Sequence, residues 1–559
     1  MKIMEEIRQT AYRYAVKNAF EHQGKARVGA VVGKVKALFP EADLREVMPV
    51  VNEAVLLVNK LDNKTLDSEY LKFSVDGWEL KHIERGKKLP ELDWLKPGER
   101  IITRVAPNPS GVMHFGHARP AVLTDEYVKK YGGKFILRFD DTDPKIKIPI
   151  AGVERDFIAD FNWLGIKFNE TMNASDHLQR YYEVIEQLII NEKAYVCECQ
   201  SELWRELTWE SKSCPCRGKS AKVNIDRWKK MLKHELKEGE AVVRIKTNLN
   251  HHDPSIRDWW LARVVDKVNH PNKKAKDKHV WPSYNLASAV DDHDMGINLV
   301  IRGQEHISNE EKQKYLYAYF NWTYPNCYYH GKVSKLGDMT LSKSKIKEIM
   351  DSLGAERYDD PRMATIKSFR RRGFTPQAIR KVILDCGLNL KEVKITLEMF
   401  AAVNKKILGE VNEYAFFVEP IELEVTGVLE GTIESYGEKI ILQKSNLILF
   451  VEKKELLKYK DKSPLLLRLK KGFNIQLLFV SDNHAEARFV SYDKKDLPVI
   501  SWIKEMVDAE ILMNDGKKIT GIAPKSILKA KGVVHFEGLG YVNIEENKKD
   551  KVKCVYSYK

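Results

Sequence analysis

The sequence predicts an α/β protein in which a parallel-sheet domain follows a helical segment and precedes an all-β region. A short apolar run at residues 101–105 leads into a proline-rich turn and then a helical repeat, the order typical of α/β domains. Near the start of the chain, apolar residues recur three and four positions apart, as on a buried helix face. Beyond about residue 407 the pattern changes to short β-rich runs at close intervals, which indicates one or two barrels.

The chain is long and basic. Its 559 residues predict about three to five domains. The net charge of +14 favours a polyanionic partner, most commonly nucleic acid, although it also fits a merely soluble surface. No apolar run approaches the ~18–20 residues needed to cross a bilayer, and the N-terminus has acidic residues where a signal peptide has its apolar core. Seven cysteines suit a reducing compartment. We therefore expect a cytoplasmic protein without membrane association.

Residues 1–98 are predicted to form a separate helical domain. Ile3, Ile7, Ala11 and Tyr14 repeat at helical spacing, and residues 44–61 form a second helix-like run. The stretch K-K-L-P-E-L-D-W-L-K-P-G that ends this region has the composition of a linker.

The turn at residues 107–111, P-N-P-S-G, ends the strand because its two prolines lack an N–H and its glycine permits a reversal. The helix that follows begins near Gly116. His114 and His117 lie three residues apart at its N-terminus, where free backbone N–H groups and the helix dipole favour an anion. The pattern predicts a phosphate site. An isolated histidine pair near a turn would instead be ordinary surface.

A buried-type strand at residues 134–139 ends in D-D-T-D-P. Acidic side chains at the carboxyl end of a parallel strand lie where open α/β sheets bind ligands. The alternative is that these acids cap the next helix.

Two C-x-C pairs fall within one short window. Cys197 and Cys199 are separated by fourteen residues from Cys214 and Cys216. Four thiolates fill a tetrahedral Zn²⁺ site completely, so its role would be structural. The alternative is a cluster of free thiols in an exposed loop.

Two basic stretches are candidates for RNA contact. In R-D-W-W-L-A-R-V, which contains Trp259 and Trp260, aromatic and basic residues interleave as in proteins that grip single-stranded RNA, although both tryptophans could equally be core. Arg370, Arg371 and Arg372 precede a helix and could meet RNA phosphates, or form a solvated face.

Two motifs give the chain a family resemblance. P-N-P-S-G-x-x-H-F-G-H resembles the HIGH signature of class I aminoacyl-tRNA synthetases, with Phe115 in place of isoleucine, and T-L-S-K-S at residues 340–344 is similar to KMSKS, with Thr340 in place of the first lysine. The resemblance implies ATP binding with Mg²⁺ on the phosphates. It implies catalytic roles for His114, His117, Ser342 and Lys343. The implied ATP-binding residues are Pro107, Asn108, Pro109, Ser110, Gly111, His114, Gly116, His117 and Lys343.

L-R-F-D-D-T-D-P and the segment W-P-S-Y-N-L-A-S-A-V-D-D-H-D-M-G-I-N-L-V-I-R-G resemble glutamyl-tRNA synthetases. The resemblance implies glutamate binding by Arg104, Asp140, Tyr284, Ser288 and Arg302. Ser288 is commonly asparagine in bacterial relatives. Arg302 would pair with the side-chain carboxylate, where glutaminyl enzymes have an uncharged residue. The alternative for Arg302 is an ordinary ion pair with Glu305 or Asp294.

The β-rich C-terminus is similar to that of archaeal glutamyl and of glutaminyl enzymes. The resemblance implies a class I Rossmann-type catalytic domain with an acceptor-end insertion, a helical N-terminal domain and β-barrel anticodon-binding domains. The implied ranges are 1–98 for the N-terminal domain, 99–188 and 281–345 for the catalytic halves, 189–280 for the insertion, 346–405 for a helical stem-contact region and 406–559 for the barrels.

The implied activity is ligation of glutamate to tRNA(Glu), and also to tRNA(Gln) in some relatives, by a monomer. Two alternatives remain open, a glutaminyl-tRNA synthetase and a non-catalytic tRNA-binding paralogue. A tRNA-modifying relative without anticodon domains is disfavoured by the long β-rich C-terminus.

Overall fold

The computed structural model describes residues 2–21, 25–62, 65–66, 69, 89–331, 333–336, 343–352, 358–390, 393–462 and 464–559. Backbone contacts divide the chain into two units, Met1–Lys88 and Leu89–Lys559. The predicted linker, residues 87–98, therefore does not lie between the two units as a whole. Its residues from Leu89 onward belong to the second unit, and Leu92 is buried in the core of that unit. None of the described helices is long and apolar enough to span a membrane.

The first unit contains three described helices, Lys2–Glu21, Val28–Leu38 and Leu44–Val58. The third helix begins after Asp43, whose side chain accepts a hydrogen bond from the backbone N–H of Arg45. Its buried residues recur at helical spacing, namely Val47, Val50, Val51, Ala54, Val55 and Val58. The predicted helical character of this region is confirmed.

The second unit is built on a central sheet of five parallel strands. In spatial order the strands are Glu170–Asn173, Gly133–Phe139, Ile101–Val105, Leu299–Gly303 and Asn326–His330. The strand order reverses direction between Ile101–Val105 and Leu299–Gly303. A crevice forms at the carboxyl ends of the strands at such a reversal, and ligands of open α/β sheets bind there. The helices of this domain are Phe115–Tyr131, Val153–Trp163, Leu178–Ile190, Tyr284–Asp294 and Ile307–Phe320.

Gly133 allows the second strand to approach the first closely. Its φ is +138°, and a Cβ at this position would lie 1.9 Å from the carbonyl oxygen of Ile101. A side chain at this position would push apart the strands Ile101–Val105, which leads into the proline-rich turn, and Gly133–Phe139, which leads into Asp140.

An antiparallel four-stranded sheet, here called the insertion sheet, interrupts the central sheet. Its strands are Ala194–Cys197, Val242–Ile245, Trp260–Val264 and Val280–Pro282, and its helices are Ser201–Trp209 and Ala221–Leu232. Trp228 and Trp281 lie in one buried core with Tyr181 and Leu286 of the adjoining helices. The insertion is therefore packed firmly against the helices that cover the central sheet.

Among the described residues, four helices follow the central sheet, Lys343–Ser352, Ile366–Arg371, Pro376–Cys386 and Leu397–Leu408. Two six-stranded sheets then form, as the β-rich runs predict. The first contains Ser445–Glu452, Pro420–Val428, His484–Ser491, Asn474–Val480, Leu465–Leu469 and Val499–Ile500. The second contains Glu413–Tyr414, Gly532–Phe536, Gly540–Asn547, Lys551–Tyr558, Met506–Leu512 and Lys518–Pro524. Shorter elements are the paired strands Val333–Leu336 and Val393–Ile395, the hairpin Gly431–Ser435 and Glu438–Leu442, and the helix Lys453–Leu457.

The three consecutive arginines do not form one solvated face. Arg372 is fully buried and donates to the carbonyl oxygens of Tyr556 and Ser557. Arg371 forms ion pairs with Asp359 and Glu545. Only Arg370 of the three is exposed. The other two attach the helical segment to the second six-stranded sheet. Contact with RNA phosphates, or a place on a solvated face, therefore stays a prediction for Arg370 and not for Arg371 or Arg372.

Candidate active site

A cavity of about 850 Å³ opens at the carboxyl ends of the central strands. Its walls come from both halves of the central sheet and from the insertion sheet. The predicted site residues among its lining are Arg104, Pro107, Asn108, His114, Gly116, His117, Asp140, Tyr284 and Arg302. Pro109, Ser110, Gly111 and Ser288 are not among the lining residues. Thr340 and Ser342 lie outside the described residues, and Lys343 begins a helix whose first side chains are not described.

The proline-rich turn is joined to the end of the neighbouring strand by hydrogen bonds. The Asn108 Oδ1 accepts from the backbone N–H of Ser110 at 3.1 Å, and its Nδ2 donates to the carbonyl oxygen of Asp140 at 2.8 Å. The Asp140 N–H donates to the carbonyl oxygen of Pro107 at 3.0 Å. These bonds hold the predicted phosphate turn and the predicted ammonium-binding carboxylate in one fixed arrangement.

His114 and His117 form a reciprocal cap on the helix Phe115–Tyr131. The Nδ1 of His114 accepts from the N–H of Gly116 at 3.1 Å, and the Nδ1 of His117 accepts from the N–H of His114 at 3.4 Å. Because Nδ1 is an acceptor in both rings, each neutral ring carries its proton on Nε2, a donor suited to a phosphate oxygen. The two rings stack with centroids 3.9 Å apart.

The residues between the histidines explain the spacing of the motif. A Cβ on Gly116 would lie 2.9 Å from the His114 ring, so a glycine is needed for this ring position. Phe115 is fully buried and packs against Phe369 and Phe400. The aromatic replacement in the HIGH-like motif therefore points into the core.

Two buried arginines on neighbouring strands each contact an aspartate. Arg104 donates from Nε and Nη2 to Asp292 at 2.9 and 2.8 Å. Arg138 donates from Nε to Asp291 at 2.6 Å and from Nη1 to Asp140 at 3.2 Å. Burial raises the pKa of the Asp140 carboxyl, and the Arg138 guanidinium opposes part of this rise. A bound cation would favour its ionised form further.

Arg302 is buried at the end of the strand Leu299–Gly303 and is surrounded mainly by neutral acceptors. It donates to Gln313 Oε1 at 3.2 Å and to the hydroxyls of Tyr324 and Tyr329 at 2.9 and 3.3 Å. The nearest carboxylate oxygen, from Glu310, lies at 3.8 Å. Glu310 also contacts Lys314 and Tyr329.

The ordinary ion pairs considered for Arg302 do not form. Asp294 pairs with Arg180, and Glu305 makes no ion pair with Arg302 in the part of the chain that the structure describes. Its one ion pair among the described residues is with Glu310, a carboxylate that it shares with Lys314 and Tyr329, so the charge of Arg302 is only partly compensated by protein groups.

Ser288 departs from its predicted place. It lies on the same helix as Tyr284 but is fully buried, and its hydroxyl has no hydrogen-bond partner among the described residues. Tyr284, at the first position of that helix, lines the cavity with its ring 5.5 Å from that of His306.

Several lining residues escaped the sequence reasoning. His306 and His330 follow or end central strands, and burial lowers the pKa of both, that of His330 to about 4, so both imidazoles are neutral. The sequence signal that could have identified these two histidines is their position at the carboxyl ends of strands, where open α/β sheets bind ligands. On the opposite wall, Arg244 stacks 3.5 Å from the Trp204 ring, and neither residue was predicted. Trp259 and Trp260, which were predicted as RNA-contact or core residues, also line the cavity, and Trp259 is buried.

The four cysteines of the two C-x-C pairs meet at one point. All four Sγ atoms lie within 4.8 Å of one another, with 3.8 Å between Cys197 and Cys214 and between Cys199 and Cys216. Tetrahedral Zn–S bonds of ~2.3 Å place sulfurs about 3.8 Å apart, so the arrangement fits zinc. A hydrogen bond from Cys197 lowers the pKa of Cys214 to about 5. Three of the four residues are buried, unlike thiols of an exposed loop.

Comparison with known proteins gives consistent matches. The family described as tRNA synthetases class I (E and Q), catalytic domain, matches residues 100–410. A glutamate–tRNA ligase from Pyrococcus furiosus is 40% identical over 99% of this chain and 100% of its own length. One from Sulfurisphaera tokodaii is 36% identical over the same shares. The solved structure of a glutamate tRNA ligase from Elizabethkingia meningosepticum aligns at 20% identity and a TM-score of 0.41, covering 56% of this chain and 70% of that one.

Proposed function

The chain belongs to the family of class I tRNA synthetases for glutamate (E) and glutamine (Q), and we propose that it is a glutamate–tRNA ligase. It uses ATP to convert glutamate to glutamyl-adenylate and then passes the glutamyl group to the 3′-terminal adenosine of tRNA(Glu). The observation that carries the choice of glutamate is the buried charge of Arg302 in the cavity, which has neutral hydrogen-bond partners and only a shared carboxylate at 3.8 Å.

Arg302 binds the side-chain carboxylate of the substrate. The substrate carboxylate supplies negative charge to the Arg302 guanidinium, which its neutral partners Gln313, Tyr324 and Tyr329 cannot supply. A glutamine side chain is neutral and leaves the buried guanidinium without a counter-charge, which disfavours glutamine.

The α-amino and α-carboxylate groups are held at the neighbouring strand ends. Asp140 pairs with the α-ammonium group, and Arg104 faces the α-carboxylate. Tyr284 lines the same part of the cavity. This placement leaves an oxygen of the α-carboxylate free to approach a phosphate bound at the turn.

ATP binds along the turn 107–111 and the first turn of the helix after it. His114 and His117 donate to its phosphates, and Ser342 and Lys343 contribute from the T-L-S-K-S segment, with Mg²⁺ entering as part of the nucleotide complex. A carboxylate oxygen attacks the α-phosphorus, the bond to the bridging oxygen of the β-phosphate breaks, and pyrophosphate leaves. A ribose hydroxyl of the terminal adenosine then attacks the carbonyl carbon, and AMP leaves. Positioning and charge neutralisation supply most of the acceleration.

The insertion sheet supports the second step. Its wall of Trp204, Arg244 and Trp260 faces the same cavity and offers stacking surfaces and positive charge to the 3′ end of the RNA. Trp259 is only 4% exposed and belongs to the core beneath this wall. We assign a structural Zn²⁺ to the four cysteines, which lie at the base of this wall next to the strand Ala194–Cys197. The enzyme acts as a monomer on tRNA(Glu), and tRNA(Gln) is a second candidate substrate.

The test is aminoacylation of purified tRNA(Glu) and tRNA(Gln) transcripts with radiolabelled glutamate, and separately with radiolabelled glutamine. The proposal expects glutamate on tRNA(Glu). Glutamate on both transcripts would extend the RNA specificity. Charging with glutamine alone, or no charging by protein that binds tRNA, would overturn the proposal.

A further inference from the structure

Two adjacent buried aspartates, Asp291 and Asp292, lie on the helix Tyr284–Asp294 and reach two neighbouring strands of the central sheet. Asp292 binds Arg104 of the strand Ile101–Val105, and Asp291 binds Arg138 of the strand Gly133–Phe139. Building on the proposed function, we propose that this aspartate pair positions the groups that recognise the charged backbone of the amino-acid substrate. Neither aspartate lines the cavity, so both act through another residue.

Asp292 fixes the orientation of Arg104. Its two carboxylate oxygens accept from Nε and Nη2, and the two side chains are only 3% and 4% exposed. A two-point contact of this kind sets the plane of a guanidinium as well as its position. Nη1 takes no part in the pair and is the donor left for the α-carboxylate.

Asp291 fixes Arg138 and is itself held by three donors. It accepts from Arg138 Nε at 2.6 Å, from the Tyr181 hydroxyl at 2.7 Å and from His177 Nδ1 at 3.0 Å. Arg138 in turn donates from Nη1 to Asp140 at 3.2 Å. The carboxylate that meets the α-ammonium group is therefore held in place through Arg138 by Asp291.

The charges explain why Asp291 is needed in addition to Arg138. With Asp291 ionised, a single guanidinium faces two carboxylates. Their repulsion adds to the rise in the pKa of Asp140, and the surplus of negative charge at the three groups attracts the substrate ammonium group. Without the charge of Asp291, Arg138 and Asp140 would form a closed ion pair that competes with the substrate. Burial raises the pKa of Asp291, but Arg138, His177 and Tyr181 lower it by more, which keeps the carboxyl ionised.

Three probes separate the two aspartates. Glutamate carries both backbone charges, glutarate lacks the α-ammonium group and 4-aminobutyrate lacks the α-carboxylate. Asp291→Asn is expected to raise the KM for glutamate at least 10-fold in ATP–pyrophosphate exchange, while the inhibition constant of glutarate changes less than 2-fold. Asp292→Asn is expected to weaken the binding of glutamate and of glutarate at least 10-fold. The inhibition constant of 4-aminobutyrate is expected to stay within 2-fold of its value in the unmodified protein.

Asp294→Asn is the matched control, since Asp294 lies on the same helix in a partly exposed pair with Arg180. Tyr181→Phe removes one donor to Asp291 and should shift glutamate affinity in the same direction as Asp291→Asn by a smaller factor, so the idea stays testable if the asparagine variants fold poorly. Equal loss of all three probes, or unchanged affinity for all three, would overturn the inference. All exchange assays contain tRNA(Glu), and absence of glutamate-dependent exchange in the unmodified protein under these conditions would instead overturn the proposed function.

Discussion

Replacing Gln313 with glutamate tests the idea that Arg302 must keep its charge for the substrate. Gln313 Oε1 accepts from Arg302 Nη1 at 3.2 Å, and the side chain is almost fully buried. The substitution Gln313→Glu keeps the shape and changes one acceptor from neutral to charged. Arg302 then has a second carboxylate, closer than that of Glu310, before any glutamate arrives.

The size of the effect follows from the distance. Two unit charges 3.2 Å apart attract each other by about 5 kcal/mol at an effective dielectric constant of 20. Burial of the new carboxylate opposes this, and if half of the attraction remains, glutamate binding loses about 2.5 kcal/mol, or roughly 50- to 100-fold in affinity. A neutral glutamine side chain loses less, so the preference for glutamate should fall by a similar factor.

ATP–pyrophosphate exchange at varied glutamate and glutamine concentrations measures both affinities. Gln313→Met is the matched control, because it removes the acceptor without adding charge and is expected to cost less than 10-fold. Thermal melting identifies any variant that fails to fold. Equal losses of glutamate activity in the two variants would refute the charge argument and leave only a packing role for Gln313.

Three further changes test other parts of the proposal. Lys343→Ala is expected to slow adenylate formation 100- to 1,000-fold in single-turnover assays with little loss of glutamate binding; equal loss in both would contradict its phosphate role. Cys214→Ser should abolish stoichiometric zinc in metal analysis, whereas Cys327→Ser, outside the cluster, should retain it. Burial raises the pKa of Asp160 from 3.8 to about 7. The carboxyl of the unfolded chain therefore loses its proton near pH 4, whereas that of the folded chain keeps it to about pH 7. The free energy of unfolding falls as the pH rises between these values. Asp160→Asn should therefore stabilise the protein at pH 8, by at most about 4 kcal/mol, but not below pH 4, as urea unfolding at both pH values would show.

Local periodicity was enough to predict the elements of the fold but not their arrangement. The strand–turn–helix at residues 101–131 and the β-rich runs after Pro420 follow from the spacing of apolar residues and turn formers. The pairing of Ile101–Val105 with Leu299–Gly303 joins residues almost 200 positions apart. No short-range pattern specifies such a pairing, and only the family resemblance implied it.

The same distinction separates the site residues that were found from those that were missed. His114 and His117, like the four cysteines, are close in sequence, so their spacing predicted their association. Asp291 gains its role from Arg138, which is 153 positions away in the sequence. Gln313 is only eleven positions from Arg302, but no motif marks it, and only the fold shows that the two side chains meet. The place of Ser288 likewise depends on the fold. It follows Tyr284 by four residues, but one helical turn advances ~5.4 Å along the axis, which takes this helix from the cavity rim into the core.

The three buried arginines at the strand ends differ in how their charges are balanced. Arg104 and Arg138 each bind an aspartate directly through short hydrogen bonds. Arg302 has two tyrosine hydroxyls and an amide oxygen instead, with a carboxylate no closer than 3.8 Å. A buried guanidinium stays charged, and one whose carboxylate partner is shared and more distant gains more from an anionic ligand than one that is already paired. Arg104 and Arg138, which have aspartate partners, are therefore suited to orient a substrate. Arg302, which has no carboxylate in hydrogen-bond contact, is suited to select the substrate by its charge.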